Sequence, residues 1–333
     1  MHPSGRFILL ATLFATLLAR RPLSAADNPL ASVRSFMYQL QDLETPAAID
    51  ALARSPYDLL IVEPTFTMTG DEHFDASALV AKLKAGKPGR LVVAYIDIGE
   101  AEDFRTYWPA LSQSAKATKG KPAVILGPDP DGWQNDFSVA FWDPRWQSIW
   151  LGENGLLKQV MAAGFDGVYL DWVEAYDEKA VVAEARKQKV NPTAAMVDFI
   201  AAIRRQVLAS QPRGVVIAQN APDLIDDDPR YAALIDGVGF EDTWFSGAAD
   251  AAWDDPKGGD IANRGKGEDS PAGRLLQYRK FQRAGLAVFT IDYCLQPQNA
   301  ARVYAEAARA GLIPLVTRVS LERLTTTPPP GLP

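Results

Sequence analysis

One phrase recurs along this chain: AGKPGRLVVAYID (85–97), AGFDGVYLD (163–171), AGLAVFTID (284–292) and AGLIPLVTR (310–318). In each, Ala-Gly sits where a helix would end, since glycine suits the left-handed position just past a last turn. An apolar run rich in β-branched and aromatic residues follows, closed by aspartate in three copies and by arginine in the fourth. Helix, glycine, buried strand, polar residue is the unit that winds around a parallel sheet. Four more runs of strand character, 35–41, 58–64, 214–220 and 237–244, bring the count to eight. Continuous apolar runs imply burial on both faces, as in parallel sheets covered by helices. Helical spacing falls between the runs, with Met196, Ile200, Ile203 and Val207 on one face after the Asn191-Pro192 start. Eight such units predict an α/β fold, a single-domain (β/α)8 TIM barrel. No GxGxxG or P-loop follows any run, so the doubly wound nucleotide-binding alternative lacks its signature.

Two insertions interrupt the beat, at 98–147 after strand three and at 242–272 after strand six. Long loops that follow barrel strands lie on the functional face. The first insertion runs into GWQNDFSVAFWDPRWQSIW (132–150) with four tryptophans, and the second carries Trp244 and Trp253. Trp142, Trp146 and Trp150 recur every four residues, a spacing that buries one or two of them in helix packing.

The ends of the chain stand apart from the barrel, which is expected over 27–325. Arg6, the apolar run Phe7 to Leu18 and the small residues Ser24-Ala25-Ala26 have the layout of a secretory signal peptide, residues 1–26. The run is short for a membrane span, so the mature protein is expected to be secreted or periplasmic, without stable membrane insertion. Its removal takes away three arginines and no acid and moves the formal charge from −7 to −10. An acidic chain without basic blocks argues against nucleic acid as a partner. A Pro-rich tail is expected over 326–333.

The scarce residues narrow the chemistry further. Cys294 is the one cysteine, so no intrachain disulfide forms and stability must come from a core, for which 47% hydrophobic residues suffice. His73 is the one histidine left after the leader, which excludes multi-histidine metal sites. No metal motif or cofactor motif is present, and carboxylates are left as the acid–base groups.

In a barrel, the residues that close the strands face one shared mouth. The expected strand ends are Tyr38 or Gln39, Glu63, Asp97, Asp171, Asn220, Glu241, Asp292 and Arg318, of which five are acids. Any one of them has a bland alternative, because Asp or Asn just after a strand often caps the next helix. Five acids in a ring are harder to explain that way, since crowded like charges cost stability. Paired carboxylates without histidine are what glycoside hydrolysis requires. Tryptophans suit the same substrates, as flat apolar sugar faces stack on indole rings.

Tyr38-Gln39, YIDIGEAE (95–102), WDPRW (142–146), GFDGVYLDWVEAY (164–176), GFED (239–242) and the late ID-Y (291–293) together resemble family 114 glycoside hydrolases over nearly the whole mature chain. That resemblance implies a retaining endo-α-1,4-polygalactosaminidase on a (β/α)8 barrel, acting on galactosamine-rich exopolysaccharide of the kind found in biofilms. It implies Asp171 as nucleophile and Glu241 as acid/base, with Asp97, Asp292, Tyr38 and Asn220 lining the sugar site. Trp172 and Trp244 are the expected aromatic contacts. Strands four and six are next-but-one neighbours, so the two carboxylates can approach the roughly 5–5.5 Å that retention requires. Glu174 is expected on the loop or first helical turn after strand four, where capping is its alternative role. Two other functions fit the same fold: a carbohydrate-binding barrel that does not cut, and an exo-acting α-galactosidase-like enzyme.

Overall fold

The computed structural model of the chain describes residues 28–115 and 122–332, so the expected leader lies outside the described residues. Eight strands form one parallel sheet in chain order: β1 (Phe36–Gln39), β2 (Leu59–Val62), β3 (Leu91–Asp97), β4 (Gly167–Asp171), β5 (Val215–Gln219), β6 (Gly237–Glu241), β7 (Ala287–Tyr293) and β8 (Ile313–Thr317). The eighth strand returns beside the first. Just beyond their ends, Leu40 N–H donates to the Leu321 carbonyl at 2.9 Å and Gln39 Nε2 to the Glu322 carbonyl at 3.0 Å, tying the seam. The result is a nearly closed (β/α)8 barrel in one domain, as the repeated phrase predicts.

Local chemistry explains where the helices start. Thr45, Asp143, Asn191 and Ser270 each cap a helix through a side-chain oxygen, and each is followed at once by proline. Proline is tolerated there because its missing N–H would have had no partner in the first turn. The helices bury their apolar faces on the outside of the barrel, with Met196, Ile200, Ile203 and Val207 of the helix Pro192–Ser210 fully inaccessible. Along the Pro-rich tail Tyr304 donates to the Thr327 carbonyl and Leu332 packs partly on the core.

The first insertion is built as a small antiparallel sheet of Glu100–Glu102, Asp136–Val139 and Ile125–Pro128, with the helix Trp108–Ala115 between its first two chain segments. Two helices, Pro144–Leu151 and Leu156–Ala162, then lead back to β4. Trp146 and Trp150 are buried in that packing, and Trp146 Nε1–H donates to the Ile98 carbonyl at 2.8 Å. The second insertion carries a two-stranded hairpin, Phe245–Ser246 with Ile261–Ala262, before the helix Pro271–Arg283.

Inside the barrel, one glycine makes room for a side chain that a larger residue would displace. A Cβ on Gly239 would lie 2.2 Å from the Tyr169 phenol oxygen. Overpacking of this kind costs about 1–3 kcal/mol. Gly239→Ala is therefore expected to lower stability by that amount in denaturant titration, and an unchanged midpoint would show that Tyr169 yields freely.

Candidate active site

Strands paired in register across a parallel ladder present the same face at the same level. Asp97 pairs with Asp171 and Tyr95 with Tyr169, Gln219 pairs with Gly239, and Glu241 pairs with Ile291 two residues before Tyr293. That register carries Tyr95, Asp97, Tyr169, Asp171, Gln219, Glu241 and Tyr293 inward to one mouth. Asp292, between Ile291 and Tyr293, is turned to the opposite face.

Asp171 and Glu241 come together at this mouth, each held by its own tyrosine. Tyr95 donates its hydroxyl to Asp171 Oδ2 and the Trp172 N–H donates to Oδ1, both at 2.7 Å. Tyr293 donates to Glu241 Oε1. Gln219 Nε2 donates to Oε2 at 2.5 Å and Asn220 Nδ2 to the same oxygen at 3.3 Å. Asn220 cannot turn over without loss, because its Oδ1 accepts the Glu241 N–H at 3.1 Å. Tyr38 extends the chain by donating to Gln219 Oε1 at 3.4 Å.

Electrostatics pull against these hydrogen bonds. Burial, and then the Glu241 charge, push the Asp171 carboxyl from 3.8 up to about 7. Burial, and then Asp242, push Glu241 from 4.5 up to about 7. Two interacting acids poised at the same pH lose their protons as a pair, so near neutrality the pair holds about one proton. Around them, burial and neighbouring acids hold Asp136 at about 8 and Glu100 at about 10.

The remaining expected residues divide. Asp97, Tyr38, Trp172 and Asn220 all line the cavity at the mouth. Asp97 also holds the loop after β3, its Oδ1 accepting the N–H groups of Gly99 at 2.9 Å and Glu100 at 2.8 Å. Asp292 and Trp244 do not line it, and here the sequence reading needs correction. Asp292 is fully buried, and its Oδ1 accepts the Trp244 and Phe245 N–H groups at 2.6 and 2.8 Å. Trp244, held by that contact, is 3% exposed and packs in the core. Asp292 thus anchors the loop after β6 from the outer face of β7. Of the other ring members, Glu63 is paired with Arg105 at 2.7 Å, and Arg318 donates to the Trp253 and Asp255 carbonyls.

Capping, the alternative role for Asp171 and Glu174, falls to another residue. Glu178 accepts the N–H groups of Ala180 and Val181 at the start of the helix Lys179–Gln188. Glu174 instead sits on the single turn Val173–Asp177 and lines the site. Burial and the charges of Asp171 and Glu241 raise its pKa well above the ordinary value. His73 is exposed, apart from the mouth.

Two cavities adjoin at Glu241. The first, of about 290 Å³, contains Asp171, Tyr95 and Asp97. The second, of about 570 Å³, contains Asp242, Arg274 and Tyr278 and lacks Asp171. Trp133, Glu174 and Asn220 belong to both walls. Tyr95, Tyr293, Gln219 and Asp242 were not among the expected site residues. For the first three the signal was in the period-two alternation of the strands, which reaches each of them by counting inward positions rather than by seeking where polarity begins.

Known proteins resemble this chain in sequence and in fold. A family model described as glycoside-hydrolase family GH114 matches residues 20–329. An uncharacterized protein of Deinococcus radiodurans is 35% identical over 84% of this chain and 79% of its own length. Among solved structures, the glycoside hydrolase domain of PelA from Pseudomonas aeruginosa superposes with a TM-score of 0.59 at 18% identity, covering 89% of this chain and 98% of that one. Aspergillus fumigatus Ega3, in complex with galactosamine, gives 0.59 at 16% identity over 87% and 93%.

A raised carboxyl pKa in the folded state ties stability to pH. Well below its ordinary pKa of 3.8 Asp171 is protonated whether the chain is folded or not, so its burial costs nothing in charge. Between about pH 4 and 7 the unfolded chain gives up this proton while the folded one still holds it, so stability is lost across that window and the loss levels off above about 7, where both states are ionised. Asp171→Asn is therefore expected to leave stability unchanged near pH 3 and to stabilise the fold at pH 8 by on the order of 2–4 kcal/mol. A gain that does not grow with pH would show that Asp171 is not held near neutrality.

Proposed function

The chain belongs to glycoside-hydrolase family GH114, and from that membership we propose that it is an exported, retaining endo-glycosidase that cuts α-1,4-linked galactosamine-rich polysaccharide. The observation that carries this reading is the pair Asp171 and Glu241, raised to the same pKa of about 7 across one cavity and each fixed by a tyrosine hydroxyl.

In the first step an Asp171 oxygen attacks the anomeric carbon while the bond to the leaving sugar oxygen breaks, and Glu241 gives that oxygen its proton. The Tyr95 hydroxyl and the Trp172 N–H stabilise Asp171 in its ionised form, the form that attacks. In the second step Glu241, now a carboxylate, takes a proton from water as the water oxygen displaces Asp171. Two displacements at one carbon retain its configuration. Asp97, Tyr38, Trp172 and Asn220 surround the sugar at the point of attack, and Trp133 offers a further indole at the junction of the cavities.

Cavity space on both sides of Glu241 favours cutting within a chain over removal of end residues. The surplus of acids in and around the mouth favours a cationic sugar polymer, with salt weakening the attraction. The galactosamine held by Ega3 points to the same class of sugar. Export is supported by the leader-like composition of residues 1–26.

Purified mature protein is expected to release reducing ends from partly deacetylated polygalactosamine, with oligomers preceding monosaccharide. Asp171→Asn and Glu241→Gln are each expected to lower turnover by at least about a thousandfold without loss of the fold. Turnover like that of the wild type in either variant contradicts the assignment, and polymer retained without cleavage indicates a binding barrel.

A further inference from the structure

The residue after each of the three strands at the heart of the site is left-handed and none is glycine. Trp172 after Asp171 has φ 50°, Asn220 after Gln219 has φ 54°, and Asp242 after Glu241 has φ 55°. Such a conformation costs a non-glycine residue about 1 kcal/mol or more. A regular strand would turn each of these side chains outward, away from the inward residue before it. The left-handed turn brings them back to the mouth, where all three line a cavity.

Asp242 differs from the other two and from the acids of the ring. Asp171, Glu241, Asp97 and Asp292 each accept at least two hydrogen bonds from the protein. Among the described residues no donor reaches either oxygen of Asp242, although its backbone is clamped on both sides. Its N–H donates to the Ile291 carbonyl at 3.0 Å and its carbonyl accepts Asn263 Nδ2 at 3.1 Å. Oδ1 is closed to solvent and unpaired, which leaves Oδ2 to meet the second cavity. Arg274, the cation on the same wall, is occupied with the Glu241 carbonyl at 2.8 Å and forms no ion pair with Asp242. A carboxylate presented on a strained, clamped backbone with no donor of its own lacks a cationic hydrogen-bond donor, which a ligand would supply.

The two cavities also define direction. Asp171 lies in the first and is absent from the second, whereas Glu241 belongs to both. A sugar attacked by Asp171 must occupy the first cavity, and the oxygen protonated by Glu241 must lead into the second. Taking the glycosidase reading as given, we propose that the second cavity receives the leaving-group side of the polymer and that Asp242 there binds the ammonium group of an unacetylated amino sugar. Asp242 is then the residue that distinguishes a free amine from an acetamide next to the cut, since an acetamide brings no charge and its N–H alone does not replace an ammonium donor.

The test is binding of a galactosamine oligomer in an Asp171→Asn background, followed by calorimetry, so that no turnover is needed. Adding Asp242→Asn is expected to weaken binding by about tenfold or more at low salt, and the loss to shrink in 1 M salt. Glu268→Gln, which removes an exposed acid from the same cavity wall, is expected to cost less than about twofold. Asp242→Gly serves as the second variant: glycine adopts the left-handed turn without strain, so the fold should melt no lower, yet the same loss of binding is expected. Equal losses for Asp242 and Glu268 would mean a diffuse field rather than a site, and an unchanged affinity in either Asp242 variant would overturn the proposal. Should the wild-type protein release no reducing ends, the glycosidase reading fails on that assay while the binding comparison still decides the role of Asp242.

Discussion

The pleat of eight parallel strands governs everything at the mouth of this barrel. Because in-register residues on parallel neighbours share a face, the placement of Asp171 opposite Asp97, and of Glu241 two strands away, follows from the ladder pairings alone. The same pleat sets Tyr38, Tyr95 and Tyr293 into the site, with Tyr169 buried against Tyr38 in the space that Gly239 opens. Three of those phenols engage the network of the two carboxylates, directly or through Gln219. Two acids that share about one proton near neutrality are thereby kept in a buried place, and among the described residues no cationic side chain pairs with either.

That arrangement works against stability. The Asp171 and Glu241 carboxyls are pushed toward neutrality by burial and by neighbouring acids, while hydrogen bonds from Tyr95, Tyr293, Gln219 and Asn220 pull the other way. The compromise leaves a proton to share near pH 7, which a nucleophile paired with an acid requires. The left-handed turns at Trp172, Asn220 and Asp242 add backbone strain at the same place. Charge and strain concentrated on one rim, over a core in which the strand residues are almost all inaccessible, indicate a rim shaped for a ligand.

The barrel was legible because its eight strands are short apolar runs closed by a polar residue, four of them also preceded by an Ala-Gly stop. Asp171 and Glu241 were legible because in both strands the first polar residue is also an inward one. Where the two criteria part, the reading slipped by one residue. β5 ends inward at Gln219, one before Asn220, and β7 runs on through Asp292 to end inward at Tyr293. Asp292 and Trp244 therefore support the rim from behind. The small sheet of the first insertion was not legible, because its strands are short and antiparallel to one another, two of them (Glu100–Glu102 and Asp136–Val139) carry polar residues, and the third is cut off by Gly127-Pro128. The free carboxyl of Asp242 depends on a backbone turn and on the absence of donors, neither of which composition reports.

The central claim is that Asp171 forms a bond to the sugar while Glu241 moves the proton. Trapping the intermediate tests it most directly: the protein is incubated with a slow, activated α-linked galactosamine donor and digested, and the peptides are weighed by mass spectrometry. A single glycosyl adduct on the peptide containing Asp171, absent in Asp171→Asn, is the expected result. An adduct on another carboxylate, or turnover that yields inverted product with no adduct, would contradict the account.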